Sequence, residues 1–106
     1  MDRKHFILPE TSFEHITPFG HPESVFRLIS IKNRFRGTPL TPSRTASRED
    51  LLLCHTPEYV DLVKSEIEKG YATLSTGDVE ICKGSWSAAL AAVGAGLTGI
   101  DLMEDG

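Results

Sequence analysis

A chain of 106 residues holds one domain and one hydrophobic core at most. Its 40% hydrophobic and 25% charged residues exclude a disordered or fibrous protein. Eleven Lys and Arg against fifteen Asp and Glu, a formal net charge of -4, provide no basic field for phosphate backbones and argue against a direct nucleic-acid partner.

Local basic character is confined to Lys32, Arg34, Arg36, Arg44 and Arg48. Glu49 and Asp50 follow at once without an aromatic ladder, the pattern of a solvated face. Cys54 and Cys82 lie in segments of different character. With no apolar run near Met1 long enough for a signal peptide, they predict reduced thiols in a cytoplasmic protein.

In chain order, Phe6, Ile7 and Leu8 form a short apolar run closed by Pro9, which predicts one brief buried strand. Thr11, Ser12, Thr17, Pro18 and Gly20 then predict a surface loop up to His21. Pro22 suits the first position of a helix, Glu23 its positive end, and Val25, Phe26, Leu28, Ile29 and Phe35 a mostly apolar face, predicting a helix that ends near Arg36 before Gly37. Residues 37–45, with Pro39 and Pro42, read as a connector or a flexible linker.

Ser47 and Asp50 have the spacing of a capping box, after which Leu51 to Leu53 are expected to bury. Thr56 and Pro57 open a second helix with Tyr59, Val60, Val63 and Ile67 on one face and Asp61, Lys64, Glu68 and Lys69 on the other, ending at Gly70. From Gly84 to Met103, the residues Trp86, Leu90, Val93, Leu97 and Ile100 form an apolar stripe, and Ala88, Ala92, Ala95, Gly96 and Gly99 lie on neighbouring faces. This predicts a helix buried on both sides. The uncharged run from Trp86 to Ile100 is shorter than the roughly 20 apolar residues of a membrane span, so a soluble packing helix is expected and no membrane partner.

The chemistry-bearing residues form no self-contained motif. His5, His15, His21 and His55 include no pair at the helical spacing of a zinc clamp, and Cys54 and His55, being adjacent, diverge too far to share an ion without help. No Gly-x-Ser-x-Gly elbow is present, Ser75 to Asp78 has no base near it in sequence, and Gly94-Ala95-Gly96 lies inside a periodic helix rather than in a phosphate-binding turn.

More specific is the order of several phrases. His21-Pro22-Glu23 with Arg27 is followed by Arg44-Thr45-Ala46-Ser47-Arg48-Glu49-Asp50-Leu51-Leu52 and by His55-Thr56-Pro57-Glu58-Tyr59-Val60. Ser75-Thr76-Gly77-Asp78 and the small-residue run from Ser87 to Gly96 complete the series. In this order and spacing the chain resembles histone deacetylases of the class II and bacterial type, including acetylpolyamine amidohydrolases. It departs at Val25, where that family usually has proline after His-Pro-Glu-x.

The resemblance implies an α/β architecture: the N-terminal part of a three-layer α/β/α fold of the arginase/deacetylase kind, mostly helical here with one short strand. It also implies zinc held by two aspartates and a histidine, a His-His pair for proton transfer and a tyrosine that polarises the acyl carbonyl, all located beyond the small-residue helix. No histidine follows His55, so these 106 residues are expected to contain no catalytic or metal-ligating residue, to hold no zinc and to be inactive alone.

Two positions carry an implied substrate role. Asp78 resembles the rim aspartate that holds the substrate backbone, with a turn aspartate beside Gly77 as the alternative. Arg27 resembles an arginine near the inner end of the acyl channel, with a surface helix arginine as the alternative. A single partial deacetylase-like domain over 1–106 would pair with a copy of itself or with the missing C-terminal part of such a domain. A noncatalytic interaction module and a self-sufficient small helical domain are the rival readings.

Overall fold

The computed structural model describes residues 4–105. A short 3-10 helix, Glu10–Glu14, precedes four α-helices: α1 Val25–Arg34, α2 Arg48–Leu51, α3 Pro57–Glu68 and α4 Ser85–Glu104. Among the described residues there is no strand, only an isolated antiparallel bridge between Thr73 and Glu80. The strand predicted at Phe6–Leu8 is absent. This segment is irregular, and the bond from the Thr41 amide to the Phe6 carbonyl, 2.7 Å, is too little to make a ladder. Phe6 instead stacks on Phe35, ring centroids 4.9 Å apart.

α1 starts three residues later than Pro22 suggests. Ser24 is the N-cap, its hydroxyl accepting the Phe26 amide at 3.0 Å. His21-Pro22-Glu23 is a bend in which the Glu23 amide donates to His21 Nδ1 at 3.1 Å. No residue of α1 is fully buried, and Phe26 and Ile29 face out.

α2 and α3 follow their sequence signals closely. Ser47 and Asp50 form a complete capping box: the Asp50 carboxylate accepts the Ser47 amide at 2.8 Å and the Ser47 hydroxyl accepts the Asp50 amide. α2 stops after one turn, and Leu53, expected in the core, is exposed. Thr56 caps α3 through the Tyr59 amide, and Gly70 ends the helix in the left-handed region at φ +81°. Val60 and Ile67 are buried and Val63 partly so, while Asp61 on the far side pairs with Arg48.

α4 has the predicted extent but packs differently. Its buried residues are Ser85, Ala88, Ala91 and Gly94, a line of small side chains, whereas Val93 and Ile100 of the expected stripe are exposed, as is Met103 near the helix end, at 82%. The small line lets backbone approach. A Cβ on Gly94 would overlap the Arg44 carbonyl, and one on Gly84 the Glu14 backbone. Ala46 donates its amide to the Leu90 carbonyl at 3.1 Å, the Arg44 amide reaches the Thr98 hydroxyl at 3.0 Å, and the Arg44 guanidinium lies 3.6 Å from Asp101. The 20-residue helix is also long and apolar enough, by length and composition, to cross a membrane, contrary to the count taken over Trp86 to Ile100 alone.

The core is small. Ile67, Leu74 and Ile81 form its centre, with Val63 and Trp86 against them. The molecule measures 48 × 33 × 17 Å with a radius of gyration of 15.3 Å, against about 13 Å for a compact domain of this length. It is a thin, open layer of helices.

Candidate functional site

Two features could meet a substrate: an exposed turn after α3, and a groove between α1, α3 and α4. The turn spans residues 71–80. After Gly70 reverses the chain, Leu74 donates to Val79 at 2.9 Å and Ile81 to Ala72 at 2.9 Å, around the Thr73–Glu80 bridge. Leu74 and Ile81 anchor both ends in the core, while residues 75–79 stand in solvent. Asp78 lies in this exposed part, and its carboxylate makes no hydrogen bond or ion pair with the described residues. A carboxylate on an anchored turn, with both oxygens open to solvent, is able to accept two amides of an extended ligand.

The turn is held from behind. Glu66, 5% exposed, projects from α3, and its two carboxylate oxygens accept the Ser75 amide at 2.8 Å and the Ser75 hydroxyl at 2.5 Å. The Ser75 hydroxyl and then its amide hold the Glu66 carboxyl below the usual carboxylate range, against the opposing effect of burial. Sequence reasoning passed over Glu66, although a signal was present. It follows Val63 by three residues and precedes Ile67, which puts a carboxylate on the core side of α3.

The groove has a volume of about 490 Å³ and is walled by Leu28, Val60, Val63, Leu74, Trp86 and Ala89, with Arg27, His15, Glu23 and Ser85 also lining it. Arg27 is exposed, and its guanidinium makes no ion pair with the described residues. Asp78 does not itself line the groove, although its neighbours Val79 and Glu80 do, so the turn borders the groove that Arg27 lines.

At one end of the groove, His15 Nδ1 lies 2.6 Å from Ser85 Oγ and His15 Nε2 3.6 Å from Glu23. The order acid, imidazole, hydroxyl resembles a nucleophilic relay, but 3.6 Å is beyond hydrogen-bond length. Ser85, 7% exposed, also accepts the Cys82 amide at 2.8 Å. The set works as a clasp between the Glu10–Glu14 segment and the start of α4. Cys82 completes it by accepting the Ile16 amide at 3.2 Å. Burial pushes the Cys82 thiol up, but the bonds from Ile16 and Ser85 outweigh it and the thiol lies below its ordinary value. Because residues 15 and 85 are far apart in sequence, no local spacing signals the clasp. Cys54 and Cys82 are both unpaired.

The zinc implied by the sequence resemblance does not fit these residues. Among the described residues no group of three or more His, Cys, Asp or Glu could hold a metal ion.

No curated protein and no solved structure matches the chain. A family does: residues 21–106, from His21 through α4, match the histone deacetylase domain. That span includes every phrase on which the sequence resemblance rests, together with the capped helices α2 and α3, the Asp78 turn and the small-residue line of α4. The chain belongs to the histone deacetylase family.

Proposed function

We propose that this chain supplies the scaffold and substrate rim of a zinc-dependent deacetylase-like amidohydrolase, one that hydrolyses acyl-lysine or acetylpolyamine amides, and that these 106 residues do not turn over substrate by themselves. The observation that carries the reading is the Asp78 turn: a carboxylate with no partner among the described residues, on a turn anchored at both ends by core residues. Asp78 would accept backbone amides of an extended acyl-lysine segment and fix its register. Arg27, on the groove wall, would sit beside the inner end of an acyl channel completed by sequence outside these residues. In this reading the family's proton-transfer histidines and zinc-binding histidine are not supplied by these residues, a view supported by the lack of any histidine between His55 and Gly106.

The test is a titration of the purified chain with an acetyl-lysine peptide, followed by NMR, alongside zinc analysis and a deacetylase assay. Shifts centred on the Asp78 turn, lost in Asp78→Asn, with no turnover, are expected. Stoichiometric zinc with turnover would overturn the claim of inactivity, and identical titrations of wild type and Asp78→Asn would overturn the rim role.

A second reading, a noncatalytic module that pairs with its own copy or with the remainder of such a domain, is favoured by the exposed Val93, Ile100 and Met103 of α4. Under either reading the partners are protein surfaces in a cytoplasmic setting, rather than nucleic acid or membrane. The net charge of -4 and the side contacts of α4 with residues 44–46 support this.

A further inference from the structure

We propose that Glu66 is a positioning residue for the substrate rim: by holding both donors of Ser75 from within the core, it fixes where the turn presents Asp78. The inference rests on the reading of Asp78 as a substrate contact and deepens it.

A carboxylate buried to 5% exposure is costly unless its oxygens are satisfied. In Glu66 both are satisfied by a single residue, Ser75, through its amide and its hydroxyl. Two bonds to one residue fix its backbone and its side-chain rotamer together, which a single bond does not do. Ser75 enters the exposed part of the turn directly after the core anchor Leu74, and Asp78 lies three residues on.

Of the other bonds of the turn, Leu74 to Val79, Ile81 to Ala72 and Gly77 to Leu74 close it on itself, and the Tyr71 amide, donating to the Glu66 carbonyl at 3.1 Å, ties only its first residue to α3. The Glu66 and Ser75 pair adds the tie between α3 and the exposed part of the turn that carries Asp78. Because the Ser75 bonds keep the carboxyl below the usual range, it is an ionised, strong acceptor at neutral pH. A rim residue held this way reaches its ligand without first ordering a loop.

The experiment compares the 106-residue chain with Glu66→Ala, Glu66→Gln and Ser75→Ala by amide hydrogen exchange and by the acetyl-lysine peptide titration. In Glu66→Ala the hydrogen-bonded amides of the turn, those of Leu74, Ser75 and Gly77, should exchange about tenfold faster relative to those of α4, and peptide affinity should fall by a similar factor. Glu66→Gln keeps one acceptor oxygen and should recover most of both effects, while Ser75→Ala should be intermediate.

Equal acceleration of the turn and α4 would make Glu66 a general core residue and overturn the proposal, as would an unchanged turn. Loss of peptide binding in Asp78→Asn but not in Glu66→Ala would defeat the positioning role alone. If wild type does not bind the peptide, the rim reading of Asp78 fails and the positioning of a substrate contact fails with it, whatever the exchange data show about the turn.

Discussion

Gly94 and Gly96 sit two positions apart on α4 and differ in what surrounds them. A side chain at Gly94 would run into the Arg44 carbonyl and approach the Ala46 amide, which is itself bonded to Leu90, whereas a side chain at Gly96 would meet nothing. Gly94→Ala must therefore separate α4 from the Arg44 segment, at roughly 1–3 kcal/mol. Gly96→Ala should stabilise the chain by about 0.5–1 kcal/mol, through helix propensity alone. Urea unfolding followed by circular dichroism checks both, and equal effects at the two positions would contradict the packing described. The sequence marks Gly94, Ala95 and Gly96 together as small residues suited to close approach. It does not say which one is approached, because the approaching backbone lies far away in the chain. The buried Glu66 was missed for a related reason: its partner, Ser75, lies beyond the helix end, where helical periodicity carries no information.

Helix boundaries were legible wherever a capping residue was unambiguous. Ser47, Thr56 and Gly70 act as their types predict, because each satisfies an end group that the helix itself leaves open. Pro22 misled because Ser24, two residues on, is the better cap and shifts the start of α1. Phe6–Leu8 misled because an apolar run specifies burial but not a strand, which needs a neighbour to pair with.

The capping box gives this scale its test. Ser47→Ala should cost about 1 kcal/mol. Asp50 should add an acid dependence, since the Ser47 amide, with its hydroxyl and Arg44 also contributing, holds the Asp50 carboxyl below its ordinary value of 3.8. A carboxyl depressed on folding contributes stability above its unfolded value and loses it as pH falls through the folded one. The unfolding midpoint should therefore be flat with respect to Asp50 at neutral pH and decline below about pH 4. Asp50→Asn should lower the midpoint at pH 7 while reducing that decline. An unaltered acid limb in Asp50→Asn would remove Asp50 from the account.

At the scale of the molecule, the family phrases made the kinship legible, but the three-layer sandwich they imply is not what these residues build. A thickness of 17 Å leaves room for little more than one layer of helices, each about 10–12 Å across. Apolar faces are left open, as the groove between α1, α3 and α4 and the exposed Ile100 and Met103 show. The predicted burial of α4 on both sides failed for this reason: periodicity reports that a face is apolar, not that anything lies against it.

An open layer of this kind should lower its free energy by pairing, because each large aliphatic side chain taken out of water contributes about 1.5–3 kcal/mol. Light scattering should therefore give a mass that rises with concentration above the 11.6 kDa of one chain. Ile100→Lys with Met103→Lys should return it towards 11.6 kDa without loss of helix content, since both side chains are exposed in the single chain. A mass of 11.6 kDa at every concentration would show that the open faces are tolerated in water and would leave the self-sufficient helical domain as the better description.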